Sequence, residues 1–455
     1  MSKFERDLTE GSVAKQLVKF AMPFIISNLI QSLYSVADMI IVGNFTGVIS
    51  MAGVNNGTQL TMLVTNAVIG LSIGATVLIG QYLGSGRKQE ISDTIKTLFT
   101  LLIAISAILT VLTPFCDDFL LKSINVPDEA FSEAKSYFFI CMMGTIFVFT
   151  YNALAAVMRG MGDSKHPLIF VAIAACANIL LDLLFVGLFK LGASGAALAT
   201  VISQALSVLL CIMFLRKNNF VFHFSFKTLG FDIGKLKLLF KIGIPTMINN
   251  IAVSISFLYL VSLTNDISVE ASAAVGAVAK FNGFAILPAI AMSSAISAMV
   301  AQNFGCQRLD RVKKTMFVGM LLSFVFSLIM FLLVNIFPDA ILRVFANDDE
   351  MARLGAEYIK SFSWDYIFVP LVFSFNGLFI GTGHTFVSLV SGMCSSLLFR
   401  IPACYIFGIV LDMGLFGIGL GAPIASAAAF VIIFIFFLSG KWKKTTVIKA
   451  PIIDI

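Results

Sequence analysis

Charged residues are scarce in this sequence. Only 12% of its 455 residues are Asp, Glu, Lys or Arg, whereas 58% are hydrophobic, and an average soluble domain has roughly 25% charged residues. A soluble fold of this composition would expose large contiguous apolar patches, which soluble proteins rarely do. The shortage of charge therefore excludes a soluble enzyme, a secreted disulfide scaffold and a disordered chain, and it indicates a membrane protein.

Short alternating segments are missing as well. Membrane β-barrels consist of alternating segments of about 10 residues, but the apolar runs here are long and continuous. Runs of about 20 apolar residues predict membrane-spanning helices. We therefore predict an all-α polytopic membrane protein with twelve transmembrane helices. They are expected near residues 16–43, 54–82, 95–116, 130–158, 166–189, 193–215, 236–264, 271–303, 312–337, 352–380, 385–411 and 415–439.

Three further features are missing. The seven cysteines never form a CxxC motif, and we interpret them as small apolar packing residues rather than metal ligands or disulfides. The N-terminal residues lack the apolar core of a signal peptide, so the first hydrophobic segment should remain as a span. No P-loop, HExxH or GxSxG motif is present. We expect neither an enzyme nor a cofactor, and transport should draw on an ion gradient.

The basic residues that are present lie mostly on one side of the predicted membrane. Of the 31 Lys and Arg residues, six fall on outer segments and two within spans, and the other 23 are cytoplasmic if both termini are placed there. The positive-inside rule favours this orientation, in the inner (plasma) membrane. The basic loops are interpreted as topology determinants, with binding of nucleic acid or anionic lipid as the weaker alternative.

The sequence also repeats itself. Four pairs of matching motif residues recur in the same order and at an almost constant separation, and these residues are Pro23 and Pro245, Gln81 and Gln302, Gly160 and Gly381, and Gly192 and Gly414. Two parallel copies of six helices are typical of transporters in which a cavity opens to each side in turn. We predict an N-terminal lobe at residues 1–215, a cytoplasmic linker at 216–241 and a C-terminal lobe at 242–455. The glycines near each repeat's last helix are interpreted as close-packing positions.

Four ionisable residues lie clearly inside predicted spans: Asp38, Asp182, Lys280 and Arg400. Such residues are costly in a bilayer and usually functional. Lys280 and Arg400 have two interpretations: bonding to backbone, water or a helix end, or a basic patch for an anionic group. Asp365 is near the outer end of a helix, where it is expected to face water.

Polar partners accompany both acids. Gln31 and Tyr34 precede Asp38 on the same helical face. Asn178 lies one turn before Asp182, and Thr200 follows one span later. Their oxygen atoms suit a small hard cation such as Na⁺, and two neighbouring carboxylates can instead share a proton.

The second copy lacks this acidic pair. Asp38 corresponds to Leu260, and Asp182 falls near Cys404. Carboxylates that merely held a lobe together should be needed in both copies. We therefore favour cation or proton coupling in the first lobe, and the alternative is a structural polar network.

These residues resemble a known family, the multidrug and toxic compound extrusion (MATE) transporters, over nearly the whole chain. The similarity is strongest to the bacterial DinF-like and MepA-like branch. The motifs that carry the resemblance are Pro23, Gln31, Tyr34 and Asp38 in the first helix, Gln81-x-x-Gly84-x-x-Arg87, Arg159-Gly160-Met161-Gly162-Asp163, Asn178-x-x-x-Asp182 and Gly192-x-x-Gly195-Ala196-Ala197-x-Ala199-Thr200.

The resemblance implies a V-shaped pair of six-helix bundles and antiport of organic, often cationic, compounds. It implies proton or sodium coupling by the residues that match the family's coupling set, which are Asp38, Asn178, Asp182 and Thr200. Asn152 matches a polar residue of the same cavity. The sodium-coupled NorM-like branch uses acids in its second lobe, and helix seven of this sequence has no convincing equivalent.

We accordingly predict a monomeric, cation-coupled antiporter of small organic compounds in the lipid bilayer, with no nucleic-acid partner. Its substrate cavity is expected to include Gln31, Tyr34, Asn152, Lys280 and Arg400. The first alternative is a lipid-linked precursor flippase in which Lys280 and Arg400 contact an anionic headgroup. The second is a membrane receptor or sensor, which would need an output domain or a long tail.

Overall fold

The structure is a computed structural model that describes residues 6–124, 126–218, 229–265, 267–343, 349–444 and 447. Throughout these residues the chain forms helices and no strands. In a bilayer, a helix satisfies all its backbone hydrogen bonds internally, so long apolar segments adopt this form. The predicted all-α class is confirmed.

Among its described residues, the N-terminal half forms seven α-helices and one π-helical turn. A π turn, Leu183–Leu188, directly follows the sixth helix. The helices are α1 Val13–Thr46, α2 Val48–Gly84, α3 Lys88–Ser123, α4 Asp128–Met143, α5 Thr145–Gly160, α6 Lys165–Asp182 and α7 Gly192–Lys217.

Where the structure describes it, the C-terminal half has ten α-helices, two π-helical turns at Cys394–Arg400 and Ile406–Val410, and a short 3₁₀ helix at Lys441–Lys443. The α-helices are α8 Ile233–Asn265, α9 Val269–Ala285, α10 Leu287–Gly305, α11 Leu309–Ile336, α12 Pro338–Arg343, α13 Asp349–Phe362, α14 Asp365–Thr382, α15 Thr385–Met393, α16 Ile401–Tyr405 and α17 Gly414–Leu438.

The described helices contain eleven segments that are long and apolar enough to cross a membrane, and a twelfth if a bent pair is one span. This agrees with the twelve predicted helices. The bent pair is α4 and α5, which meet at Gly144 with an angle of 52°. The sequence predicted one continuous helix over residues 130–158, and likewise one over 352–380, where the chain instead forms α13 and α14.

The chain divides into two compact units, and the divisions fall inside helices. The first unit contains the described residues up to Asp7 and residues 22–243, and the second contains residues 8–21 and those from 244 onward. The changes of unit thus occur within α1 and within α8. The predicted lobes, 1–215 and 242–455, and linker, 216–241, stay a prediction, and residues 219–228 of that linker lie outside the described residues.

Within the second unit, the segment before α1 is held by side chains of α10 and α11. Gln302 Oε1 accepts a hydrogen bond from the Leu8 amide at 3.0 Å, and Asn303 donates to the Leu8 carbonyl. The guanidinium of Arg311 donates to the carbonyls of Leu8, Glu10 and Gly11 and to Gln16 Oε1. Arg308 adds one bond, to Thr9.

Removing the Arg311 guanidinium should release this segment. We expect Arg311→Ala to speed hydrogen–deuterium exchange of residues 8–16 by about tenfold, since hydrogen bonds to charged groups contribute about 1.5–3 kcal/mol. Arg308→Ala is the matched control, because it removes a single bond and should have a smaller effect. Equal exchange in the two variants would contradict the role assigned to Arg311.

Candidate functional site

Two acidic side chains are buried in the first unit. Asp38 lies within α1 and is 8% exposed, and Asp182 is the last residue of α6 and is fully buried. The π turn that follows Asp182 shifts the helical register there. Such turns inside helices are often found at functional sites.

The two carboxylates are neighbours. Asp38 and Asp182 lie close enough for their charges to interact, and the Tyr34 phenol lies within the reach of both. Tyr34 is one helical turn before Asp38 on α1, which places both side chains on one face. The structure therefore joins the two acids that the sequence singled out.

These acids lack internal partners. Oδ1 of Asp38, both carboxylate oxygens of Asp182 and both amide atoms of Asn178 are buried without a hydrogen-bond partner. The ion pairs found among the described residues include neither acid. Buried polar groups are nearly always satisfied, so each exception requires an explanation. Three adjacent exceptions indicate a site that is completed by a small polar species.

A narrow pocket adjoins this cluster. Its volume is about 10 Å³, which is close to the minimum for a single water molecule. It therefore suits water or a small ion rather than an organic compound. It is lined by Gln31, Tyr34, Val171, Ala174, Ala175, Asn178, Ser203, Gln204 and Ser207.

The α7 side of this pocket was not predicted. Ser203, Gln204 and Ser207 line it, whereas only Thr200 of this helix had been singled out. Together with Thr200 they form a polar stripe at helical spacing. This spacing could have predicted from the sequence that these side chains share one face of α7. Thr200 itself is half-buried and does not line the pocket, and its carbonyl accepts a bond from the Ser203 hydroxyl at 2.8 Å.

Asn152 also lies apart from the pocket lining. Its side-chain nitrogen donates to the Val148 carbonyl at 2.8 Å, one turn earlier on α5. The role predicted for it in the substrate cavity stays a prediction.

The two cations predicted in the second unit, Lys280 and Arg400, differ in burial. Lys280 is exposed on α9, but Arg400 is 8% exposed, and its Nη1 donates to Ser256 at 3.2 Å. The Arg400 guanidinium lies 4.7 Å from the centre of the Phe257 ring. Asp365 was expected to face water, but it is the first residue of α14 and is buried, with 7% exposure.

Cysteine and histidine add no metal site. Within the residues the structure describes, no three side chains of His, Cys, Asp or Glu come together as metal ligands, and the seven cysteines are free thiols. Any ion at Asp38 and Asp182 would depend on the amide of Asn178, a hydroxyl or water for further oxygen ligands.

A family profile and several known proteins match this chain. The MatE family profile matches the chain twice, at residues 23–184 and 245–406, and the two matches begin at the repeated prolines, Pro23 and Pro245. A probable multidrug resistance protein YpnP of Bacillus subtilis is 27% identical over 96% of this chain and 97% of its own. A probable multidrug resistance protein NorM of Thermotoga maritima is 26% identical over 96% and 94%.

A solved structure shares the fold. It shows the outward-facing conformation of a multidrug resistance MATE family transporter of the MOP superfamily, with a TM-score of 0.90, 20% identity, and coverage of 97% of this chain and 98% of that one. The double profile match spans most of both halves. The chain therefore belongs to the MatE family, and it is a multi-pass membrane transporter rather than an enzyme.

Proposed function

We propose that this protein is a cation-coupled antiporter that exports organic compounds, and that a proton or sodium ion binds at Asp38 and Asp182. The observation that carries the proposal is the group of unpartnered buried oxygens on these acids and on Asn178. Carboxylate and amide oxygens suit a hard cation, and neighbouring carboxylates also hold a shared proton. The multidrug resistance names of the relatives support an organic, cationic or amphipathic substrate.

Cation binding would act by changing which conformation of the transporter is favoured. Coupling requires only that ion and substrate favour different conformations. Asp38 lies on the same helix as Pro23, and a proline inside a helix removes one backbone hydrogen bond and permits a bend. Neutralising the acids would change the preferred shape of α1 and lower the affinity for the substrate.

Orientation and assembly are part of the same proposal. Both termini are placed in the cytoplasm, because the basic residues concentrate on the segments of that side, and the protein is expected to act as a monomer. The flippase alternative needs Lys280 and Arg400 at one headgroup. Lys280 is exposed on α9 whereas Arg400 is buried, which favours efflux.

The coupling ion is tested in proteoliposomes loaded with a fluorescent cationic dye. A sodium gradient and a proton gradient are imposed separately, and dye movement is measured. We expect one of the two gradients to drive dye movement severalfold above protein-free liposomes, with a collapsed gradient as the control. Dye movement that is indifferent to both gradients would contradict the proposal.

A further inference from the structure

The second unit contains a larger cavity, lined by residues of α8, α9 and α13. Its volume is about 190 Å³, and an apolar cavity of about 150 Å³ is enough to bind benzene. It therefore has room for one aromatic ring with a short substituent. All of its lining residues come after residue 244, so the cavity belongs to the second unit by itself.

Three aromatic side chains line this cavity. Tyr358 and Phe362 are one turn apart on α13, and their rings stack with centres 5.6 Å apart. Phe257 contributes a third ring from α8, and the Arg400 guanidinium packs over that ring, 4.7 Å from its centre. Aromatic rings pair favourably with one another, so this lining suits a ligand that contains a ring.

The lining of the cavity is uncharged. Among the described residues that line it, none is Asp, Glu, Lys or Arg, and Leu260 lies where the first repeat has Asp38. A charged ligand buried here would lose its hydration without gaining a partner, which is costly. The positive charge of Arg400 beside Phe257 would in addition repel a cation. The cavity therefore favours a neutral ligand.

Helix α9 supplies a polar group to the lining. The lining residues of this helix include several at helical spacing, which places them on one face, and these are Ser272, Val275, Gly276, Ala279 and Asn282. The Asn282 side chain forms none of the hydrogen bonds found among the described residues. An amide has both donor and acceptor atoms, so it can bond to a hydroxyl group of a ligand.

The α9 side of the cavity is accessible. Gly276 and Ala279 are exposed, and a Cβ atom added at Gly276 would meet nothing within 4 Å. Because glycine has no side chain, a ligand can enter past this position without displacing one.

We propose that this cavity binds a neutral compound with one aromatic ring and one hydroxyl group. The ring packs against Phe257, Tyr358 and Phe362, and the hydroxyl group bonds to the Asn282 amide. This class of ligand differs from the cationic compounds considered above. As an exported substrate it rests on the proposed function, but its binding does not.

Three probes with one fluorinated ring test the proposal. 4-Fluorobenzyl alcohol has the hydroxyl group, 1-ethyl-4-fluorobenzene has a methyl group in its place, and 4-fluorobenzylammonium carries a positive charge. Binding to the full chain in lipid nanodiscs is measured by fluorine NMR, and binding to nanodiscs without protein is subtracted. We expect the alcohol to bind saturably and at least about tenfold more tightly than the ammonium compound, because an unpaired charge is costly to bury. Equal or tighter binding of the ammonium compound would overturn the proposal, and so would an absence of saturable binding of the alcohol.

Asn282→Leu tests the hydroxyl contact. It should weaken binding of the alcohol by about fivefold or more, because one hydrogen bond is lost, and it should not weaken binding of the ethyl compound. Comparing two probes in the same variant cancels any general change in the protein. An equal loss of affinity for both probes would contradict the contact, and so would unchanged affinity for the alcohol.

Gly276→Leu tests the cavity itself. The open space around Gly276 means that this variant should keep the melting temperature of the unmodified protein. It should lower the affinity for the alcohol by about tenfold or more, because the ring can no longer be buried. Gly283→Leu is the matched control on the same helix, since a Cβ atom there also meets nothing within 4 Å and Gly283 is not a lining residue.

Unchanged binding in Gly276→Leu, or an equal loss in Gly283→Leu, would contradict the assigned cavity. These measurements use no ion gradient, so failure of cation coupling and failure of this site remain distinguishable.

Discussion

Asp182→Asn and Asp38→Asn should each reduce gradient-driven efflux to the level of protein-free liposomes. Asparagine keeps the size and hydrogen-bonding capacity of the side chain, but it cannot exchange a proton and binds a cation far less strongly than a carboxylate does. Substrate efflux would then no longer draw on the ion gradient. The measurement is dye efflux from proteoliposomes under whichever gradient drives the unmodified protein.

The same variants separate coupling from a structural role. A buried carboxylate without partners disfavours folding, so neutral asparagine should leave the melting temperature unchanged or raise it. A structural polar network, the alternative that the sequence left open, would instead be weakened and would melt earlier. Asp118→Asn is the control, because that acid is exposed and pairs with Lys135 at 2.7 Å, and efflux should be unaffected. Normal gradient-driven efflux in Asp182→Asn would refute the site.

Gly417→Ala should strongly reduce the stability of the second unit. An added Cβ would lie 2.3 Å from the Phe407 carbonyl oxygen, and backbone cannot move aside as a flexible side chain can. Overpacking of this kind typically costs about 1–3 kcal/mol, which corresponds to a fall of roughly 2–12 °C in melting temperature for a unit of this size. Thermal unfolding followed by fluorescence-detected size exclusion measures it.

The internal repeat supplies the matched control. Gly195 is the counterpart of Gly417, and an added Cβ there would come no closer than 3.1 Å to its neighbours. Gly195→Ala should therefore cost much less, since small shifts relieve contacts of that length. If the two alanine variants melted at the same temperature, the tighter packing around Gly417 than around Gly195 would not determine stability.

The helices were predictable from sequence, but their breaks were not. Long apolar runs dictate helices in a bilayer, and the number of spans follows from counting them. The bend at Gly144 depends on tertiary packing: an added Cβ there would lie 2.3 Å from the Val201 side chain of α7. No local feature of residues 130–158 reveals such a contact.

One of the two charged pairs could likewise be predicted from the sequence, and the other could not. Asp38 and Asp182 stood out because charge is rare in the spans, and the structure makes them neighbours. The proximity of Asp365 and Arg400 was not predictable, because it depends on the tertiary packing of two separate helical segments of the second unit. The repeat gave no help there, since the counterpart of Asp365 in the first copy is Met143, an uncharged residue.

The division of α1 and α8 between the units has a practical consequence for producing fragments. A chain cut within residues 219–228 would separate the two repeats. The N-terminal fragment would then carry residues 8–21, whose hydrogen-bonding partners Gln302, Asn303 and Arg311 are on the other fragment. It would also lack residues 229–243, whose Lys235 bonds to Tyr82. Co-expression of both pieces, rather than isolation of either, is the appropriate way to study half of this transporter.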